Sequence, residues 1–533
     1  MKLTCWLGLL LTIVVAVACG PGAPQGSRNT IVYNGGAEPE TLDPAMMTGL
    51  IEFRVVKSLL DGLTRLDAQG QPVPALAERW EANDDSSVFT FHLREAKWSN
   101  GEPVRAEDFV WNWQRVLNPA TAAEYAYQLY CVAGAEDLNS GKATDFSALG
   151  ARAVDDRTLE VRLVGPTPFF PAVAALPIYY PLPRSAVEGK PDWPLHPETY
   201  VGNGPFRLTQ WSHNDRIVVD RNPLYWNAPA VKLDRVVFRM IDAESTALAS
   251  FQAGELDITA SVPRPDIPRL RGQPEFHISP ELGTYYVNFN CTRAPFDNPL
   301  VRKAFALAID RQTIVDKVTL GGETPAMGWV PPSMPDPAGK GMFRAAKEAF
   351  FKDHDIEEAR KALAEAGYPQ GRGFPKVSYI YNTQENHKTI AETMQQMWSG
   401  ALGVEVSLEN MDWKVYLQRL HNADYDLGRG GWTGDFTDPI NFLDIFLSSS
   451  GNNNPHWKSA PYDQLLASVK RTGDQAERSR LMHQAEDLLF AEFPLGPIYY
   501  YTNLYLEKTR VHGVRRNPVG WLDFTEAWVD EGK

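Results

Sequence analysis

Strand-like alternation and helical periodicity follow one another along almost the whole chain of 533 residues, and this pattern restricts the fold to α/β architecture. Segments 30–33 and 89–93 are predicted strands, the second half-buried because its apolar residues alternate. Segment 106–117 is a predicted helix with Phe109 and Trp113 on one face. A chain of this length is ample for two or three domains, each with its own core.

Two further helices are marked by their ends. Pro299 suits a first helical turn with Asp297 as its cap, and Phe305 then falls on the buried side. A helix over 355–366 begins at a capping aspartate and ends before a glycine. Segment 321–345, rich in Gly and Pro, is predicted to be a long irregular loop.

The composition is that of a soluble globular protein, with 44% hydrophobic and 22% charged residues. The formal net charge of −14, without any Lys/Arg-rich run, argues against a nucleic-acid partner. The ten His are scattered, and no Cys-x-x-Cys or His-x-x-x-His occurs, so neither a metal site nor a cofactor is predicted.

The N-terminus reads as a targeting segment. Lys2 precedes a short apolar run over 7–17, too short to favour a spanning helix. Ala16-Val-Ala-Cys19-Gly resembles a bacterial lipobox, which predicts cleavage before Cys19 and lipidation of its thiol. The alternative is ordinary secretion with an incidental cysteine. Residues 20–29 would form a flexible tether to the membrane.

The segment 424–442 carries the most specific chemistry in the chain. Arg429 stands six residues before Asp435, with three glycines and Trp432 between them. Glycine lets a backbone approach a ligand closely. A guanidinium and a carboxylate beside exposed backbone suit a zwitterionic ligand with a polyamide spine, which describes a peptide. The alternative is a glycine-rich strand end whose Asp435 and Asp438 only cap turns.

This segment resembles the one that carries the amine-binding aspartate in peptide-binding proteins of bacterial ABC importers (solute-binding protein family 5, the large oligopeptide-binding group). Other motifs of that family occur in the expected order from about residue 30 to the C-terminus, without a large gap. They are Glu40–Pro44, Leu76–Trp80, Phe89–Arg94, Lys97–Gly101, Ala106–Val110, Asn203–Phe206, Arg221–Trp226, Gly254–Ile258, Phe296–Arg302 and Ala364–Tyr368.

The resemblance implies a periplasmic-binding-protein-like α/β fold with three lobes. Lobe I would be built from 30–60, 183–282 and 503–533, lobe II from 61–182 and lobe III from 283–502. Two connections between lobes I and III would form a hinge, and the ligand would lie in the cleft between them.

The resemblance also assigns roles to individual residues. Asp435 would bind the α-amine of a peptide, with Tyr125 lining that end. Arg429, His387 and, as a looser match displaced by one residue, Arg419 would meet the peptide carboxylate. His387 on its own could equally be a surface residue. The positions expected to supply the strand-like backbone ladder and the walls of the side-chain pockets are Gly431, Trp432, Thr433, Thr284, Tyr285, Tyr286, Trp413 and Tyr501.

Three departures from the family stand out. Thr48 replaces a glutamate near the ligand in some peptide binders, and Thr319 replaces a lysine that meets the carboxylate of another peptide length, so the preferred peptide can differ here. A disulfide of some relatives is absent, because its positions are Gly283 and Thr433. The two remaining cysteines of the body, Cys131 and Cys291, are expected to be buried thiols.

The expected function is capture of oligopeptides by an extracytoplasmic, lipid-anchored monomer that delivers them to an ABC permease. One alternative is a different ligand on the same scaffold, such as a cell-wall peptide, an oligosaccharide or a metal chelate. Another is a sensor that reports peptides without importing them. An enzyme is not expected, since Gly-x-Ser-x-Gly, His-Glu-x-x-His and phosphate-loop motifs are all missing.

Overall fold

The structure is a computed structural model that describes residues 29–47, 49–344 and 349–530. The predicted signal segment, the lipidation site Cys19, nearly all of the tether and Thr48 lie outside the described residues, as do the last three residues assigned to lobe I. Trp413 is described only as the first residue of a helix, without its side chain.

Strands and helices alternate along the chain, which confirms the α/β prediction. The strands are β1 Thr30–Asn34, β2 Thr64–Leu66, β3 Pro72–Pro74, β4 Ala77–Ala82, β5 Val88–Leu93, β6 Ala151–Asp155, β7 Thr158–Arg162, β8 Phe206–Ser212, β9 Arg216–Arg221, β10 Arg235–Arg239, β11 Phe276–Phe289, β12 Thr324–Pro325, β13 Val377–Asn382, β14 Val406–Met411, β15 Leu427–Thr433, β16 Leu495–Leu506, β17 Val511–His512, β18 Arg515–Arg516, β19 Leu522–Asp523 and β20 Trp528–Val529. The α-helices are α1 Leu50–Leu59, α2 Ala106–Leu117, α3 Ala135–Asn139, α4 Phe170–Val173, α5 Arg184–Val187, α6 Glu244–Gln252, α7 Ile267–Leu270, α8 Pro299–Leu307, α9 Arg311–Thr313, α10 Ile356–Glu365, α11 Glu385–Leu402, α12 Trp413–His421, α13 Ile440–Leu443, α14 Ala460–Val469 and α15 Gln475–Glu492.

Three larger sheets organise the described residues. Their strand orders are β1-β10-β9-β8, β4-β5-β7-β6 and β12-β16-β11-β15-β13-β14. The first two are antiparallel except for the β1–β10 pair, which is parallel. The third is mixed, since β13 runs parallel to both β14 and β15 while β11 is antiparallel to β15 and β16. Each sheet falls mainly within the range expected for a different lobe.

Two long strands connect the first and third of these regions. β11 has 14 residues and β16 has 12, and they pair antiparallel with a register shift between Pro280 and Thr284. The expected lobe boundaries, at 282/283 and 502/503, fall inside these two strands. The boundaries stay a prediction, and so does the hinge between lobes I and III.

Most of the local predictions are confirmed. β1 and β5 form where alternation predicted strands, and α2 spans the predicted 106–117 with Phe109 and Trp113 fully buried. Asp355 caps α10 by accepting a hydrogen bond from the Glu358 amide. One prediction is wrong: Asn298, not Asp297, caps α8, because its side chain accepts the Leu300 amide and Pro299 then occupies the first turn.

A continuous cluster of buried apolar side chains runs through the regions of all three sheets. Cys131 and Cys291 are both free thiols, as predicted, and are half-buried. Burial raises the pKa of the Cys131 thiol to about 11 and that of Cys291 to about 12. Among the described residues, no helix is long and apolar enough to cross a membrane.

Candidate functional site

Strand β15 carries several residues of the candidate site, and its register determines which of them share a face. Its side chains alternate between faces, so Arg429, Gly431 and Thr433 share one face, and Asp435 follows just beyond the strand. Across the ladder, Gly431 is opposite Tyr285 and Thr433 is opposite Gly283. Thr433 and Gly283, the positions to which the family resemblance assigned a disulfide of other members, are direct cross-strand neighbours here.

The glycines of this segment are required by close packing rather than by positive φ. A Cβ atom at Gly431 would lie 2.5 Å from the hydroxyl oxygen of Tyr501 and 2.7 Å from Nη2 of Arg429. A Cβ atom at Gly283 would lie 2.4 Å from Cδ2 of Tyr501. The ring of Tyr501 therefore covers two positions without side chains on neighbouring strands.

Asp435 is a carboxylate without a cation. Its Oδ1 accepts a hydrogen bond of 2.9 Å from the hydroxyl of Tyr125, and its Oδ2 accepts one of 3.2 Å from the side-chain amide of Gln128. Burial raises its pKa above the ordinary 3.8, against the lowering effect of Tyr125, Asn441 and Gln128. Within the described part of the chain, no Lys, Arg or His forms an ion pair with Asp435.

Asp438, three residues later, behaves differently. It is 5% exposed and forms an ion pair with Arg478, with both oxygens accepting from the guanidinium at 3.1 Å. It also accepts a hydrogen bond of 3.0 Å from the Ile440 amide, in the turn that leads into α13. The turn-capping interpretation of this segment therefore holds for Asp438, whereas the charge of Asp435 is met by hydrogen-bonding groups and not by a cation among the described residues.

Arg429 is the complementary cation. Its Nη2 donates to the hydroxyl of Tyr501 at 3.1 Å, and its guanidinium carbon lies 5.0 Å from the centroid of the Tyr285 ring. Its Nε is buried without a hydrogen-bond partner. In the structure as described, no carboxylate forms an ion pair with Arg429. Arg429, the third residue of β15, and Asp435, two residues beyond its end, thus carry opposite charges, and neither forms an ion pair with a described residue.

His387 lies beside Arg429 and not on the surface. It is 7% exposed, and its Nδ1 lies 3.4 Å from the Tyr285 hydroxyl. Burial, together with the charges of Arg429 and Arg264, lowers its pKa to about 3. The imidazole is therefore neutral at physiological pH, and it joins this end of the site as a hydrogen-bonding group rather than as a second cation.

Aromatic side chains pack on both faces of the sheet beside Arg429. Tyr285 stacks on Tyr499 with ring centroids 4.8 Å apart, and Tyr286 packs edge-on against Trp329. Trp432 donates its indole N–H to the side-chain oxygen of Asn441 at 3.0 Å. The structure therefore brings together most of the side chains that the sequence analysis selected.

Arg419 is not brought to this cluster by any described contact. Its Nη1 lies 2.6 Å from Oε2 of Glu409, and its Nε lies 3.3 Å from Oδ2 of Asp424. Two carboxylates already neutralise its charge. A role for Arg419 in binding a peptide carboxylate stays a prediction without support from this geometry.

Sequence reasoning missed three polar groups at the site. Gln128 and Asn441 form hydrogen bonds with Asp435. Arg264 donates hydrogen bonds across the expected cleft, with its Nη1 2.6 Å from the Thr319 carbonyl oxygen and 2.7 Å from Oε1 of Glu323. The position of Gln128 three residues after Tyr125 is the one local signal that pointed to any of them, because the two share a helical turn.

Contacts from 61–182 hold the Asp435 loop in place. The rings of Phe169 and Phe436 stack with centroids 5.3 Å apart, and the guanidinium of Arg478 lies over Phe169. Thr437 donates its hydroxyl to the carbonyl of Gly70. Together with the Tyr125 bond, these contacts fix where the Asp435 carboxylate points.

The family model described as bacterial extracellular solute-binding proteins, family 5, matches residues 71–454. The chain belongs to this family. It is 37% identical to a Bacillus subtilis protein named oligopeptide-binding protein OppA, over 98% of each chain. Among solved structures it is similar to Haemophilus influenzae OppA in complex with the peptide RPPGFSPFR, with a TM-score of 0.79 and 35% identity over 94% of this chain and 99% of that one. It is also similar to the Escherichia coli murein tripeptide binding protein MppA, with a TM-score of 0.80 and 33% identity over 94% and 98% of the two chains.

Membership of this family of solute-binding proteins, together with the similarity to its solved structures, confirms the predicted fold. The described residues contain no group of three or more His, Cys, Asp or Glu side chains that could hold a metal ion. The functional question is therefore which solute the cleft accepts.

Proposed function

We propose that this protein binds oligopeptides by their two charged ends and delivers them to an ABC permease. Asp435 binds the α-ammonium, with Tyr125 and Gln128 holding its carboxylate in place. Arg429, with neutral His387 beside it, binds the α-carboxylate. The peptide backbone adds to the strand-like edge formed by Gly431–Thr433.

The observation that carries this proposal is the pair of unmatched opposite charges. Asp435 and Arg429 are both half-buried, and neither has a counter-ion among the described residues. Burying a charge without a partner is costly, so such groups are stable only when a ligand or water compensates them. A zwitterion with an extended amide spine supplies both counter-charges at once.

Broad specificity follows from this arrangement. The termini and the backbone supply affinity that does not depend on side chains, and water in the side-chain pockets adapts to different residues at modest cost. The E. coli relative is named for murein tripeptide binding, and a cell-wall peptide is therefore the second candidate ligand on the same two charges.

Capped peptides test the proposal. Calorimetry would compare trialanine with its N-acetylated and its C-amidated forms, which differ only in one terminal charge. Loss of either charge is expected to weaken binding by about tenfold to a hundredfold or more. If all three bind equally, or none binds, the assignment of the two charges to peptide termini is wrong.

We further propose that the mature protein is a monomer tethered through lipidated Cys19 on the outer side of the cell membrane. Supporting this are the lipobox-like sequence and the word "extracellular" in the family description. Cys19→Ala is expected to move the protein from the detergent phase to the aqueous phase on detergent partitioning. Wild-type protein found wholly in the aqueous phase would contradict it.

A further inference from the structure

Glu281 is a second carboxylate at the Asp435 end of the site. It stands on β11 two residues before Gly283, and its Oε1 accepts a hydrogen bond of 3.3 Å from the hydroxyl of Thr433. Thr433 is two residues before Asp435. Glu281 therefore lies on the same face as the two glycines and the two unmatched charges, at the end opposite Arg429.

The ligand face and Glu281 are electrostatically connected. Burial raises the pKa of Tyr501, and the negative charge of Glu281 also raises it. The Tyr501 ring covers Gly283, and its hydroxyl accepts a hydrogen bond from Arg429. Glu281 is half-buried, and burial raises the pKa of its carboxyl above the ordinary value. It forms no ion pair with any residue in the described ranges.

Against the effect of burial, the positive charge of Arg54, on α1, lowers the pKa of Glu281. Nη1 of Arg54 donates to the Tyr33 hydroxyl at 2.9 Å and its Nη2 to the carbonyl of Gly520 at 3.5 Å. Arg54 thus bonds to Tyr33 and Gly520, and among the described residues Glu281 has no cation in direct contact. When the peptide ammonium pairs with Asp435 and the peptide carboxylate with Arg429, the Glu281 carboxylate still has no cationic partner among the described residues.

We propose that Glu281 determines side-chain specificity, by selecting peptides with a cationic side chain at the first or second residue. The inference rests on the proposed function, since the position of the peptide amine at Asp435 sets which side chains come near Thr433. The long aliphatic stem of a lysine or arginine crosses from the peptide to the Glu281 carboxylate, and the charged hydrogen bond formed there is stronger than a neutral one.

Composition-matched tripeptides test this inference. Lys-Ala-Ala, Ala-Lys-Ala and Ala-Ala-Lys have the same charge and size, so only position differs. Calorimetry on the purified full-length protein, freed of co-purified ligand by dialysis, is expected to give a Kd about tenfold lower for the better of the first two than for Ala-Ala-Lys. In Glu281→Gln this ratio is expected to fall to within about twofold.

A matched control is Glu405→Gln, because Glu405 is 71% exposed on the surface and pairs with Lys376. It removes the same charge and is expected to keep the wild-type ratio. The ratio within each variant is compared rather than absolute affinity, and the wild-type ranking tests the idea even if Glu281→Gln folds poorly.

Several results would overturn the inference. One is equal binding of the three isomers, or tightest binding of Ala-Ala-Lys, by the wild type. Another is a Glu281→Gln protein that keeps the tenfold ratio. A third is equal loss of thermal stability in Glu281→Gln and Arg54→Gln with no change in peptide ranking, which would make Glu281 a structural partner of Arg54. If trialanine and all three isomers fail to bind, the proposed function itself fails, and this inference with it.

Discussion

At the scale of single residues, the account depends on Asp435. Its carboxylate is fixed by Tyr125 and Gln128 but has no cation among the described residues. Removing one partner of a buried charge pair costs about 3–5 kcal/mol, because the other charge is left stranded. At about 1.4 kcal/mol per decade, Asp435→Ala is expected to weaken peptide binding by roughly two to three orders of magnitude.

Asp435→Asn is expected to bind peptide only slightly more tightly than Asp435→Ala does, since a neutral amide cannot balance an ammonium. The matched control is Asp156→Asn at a carboxylate that is 79% exposed, for which no change is expected. Calorimetry with trialanine measures all three. Binding of either Asp435 variant within a few-fold of wild type would refute the amine-anchor role.

The two candidate cations can be told apart in the same way. No carboxylate among the described residues pairs with Arg429, whereas Arg419 is paired with Glu409 and Asp424. Arg429→Gln is therefore expected to lower affinity by roughly two orders of magnitude and to remove the penalty for amidating the peptide. Arg419→Gln is expected to bind within a few-fold of wild type, and the reverse ranking would contradict the geometry.

His387 predicts a pH dependence of stability. Its pKa is about 3 in the folded protein against an ordinary 6.5, so the unfolded chain binds more protons at this site between those values. The stability associated with neutral His387 is complete above pH 6.5 and is lost as pH falls, by up to ~1.4 kcal/mol per pH unit.

His387→Gln removes this proton uptake on unfolding. Its free energy of unfolding, measured with denaturant at about pH 7 and about pH 5, is expected to fall less with acidification than that of the wild type, by roughly 2 kcal/mol. Equal losses in the two proteins would mean that His387 is not held neutral.

At the scale of elements, β15 is packed so closely at Gly431 that a side chain there would displace its neighbours. A Cβ atom there meets the Tyr501 hydroxyl and Arg429 at 2.5 and 2.7 Å. Gly431→Ala is expected to cost about 1–3 kcal/mol of stability and to lower peptide affinity by moving both groups. Denaturant unfolding and calorimetry measure the two effects.

Gly400 provides the matched control for this substitution. It lies within α11, and nothing lies within 4 Å of a Cβ atom placed there. Gly400→Ala is expected to stabilise the protein by about 0.5–1 kcal/mol through helix propensity. A Gly431→Ala protein as stable as the Gly400→Ala protein would show that the close packing at β15 is not required.

Sequence patterns predicted elements well where the determinants are local. The apolar spacing over 106–117 is enough to define α2, since helix periodicity is a property of neighbouring residues. The cap of α8 was wrong by one residue, because Asp297 and Asn298 can both cap and the choice depends on which side chain reaches Leu300. Boundaries of this kind are set by geometry that the sequence does not contain.

Local sequence patterns predict the site less well than they predict the helices and strands. Nothing near Asp435 and Asp438 in the sequence tells which of them is neutralised, because the partner of Asp438 is Arg478, 40 residues further on. The burial of His387 is likewise set by strands far from it in the chain. The family resemblance selected side chains that lie together in the fold because it carries this long-range information, and local patterns alone did not.

At the scale of the whole molecule, the long strands β11 and β16 run between two regions that hold opposite sides of the site. Arg264 already bridges them through Glu323, a carboxylate only 2% exposed. Hinge closure on these strands would remove a peptide from water and strengthen its interactions with Asp435 and Arg429. We propose that the solute enclosed in this way is a peptide.

Native mass spectrometry tests that claim most directly. The protein would be purified without denaturation, weighed intact, and then denatured so that any released ligand can be sequenced. The account predicts a series of short peptides of mixed sequence. A single non-peptide species, or an empty protein that ignores added peptides, would contradict it and remove the role assigned to Asp435.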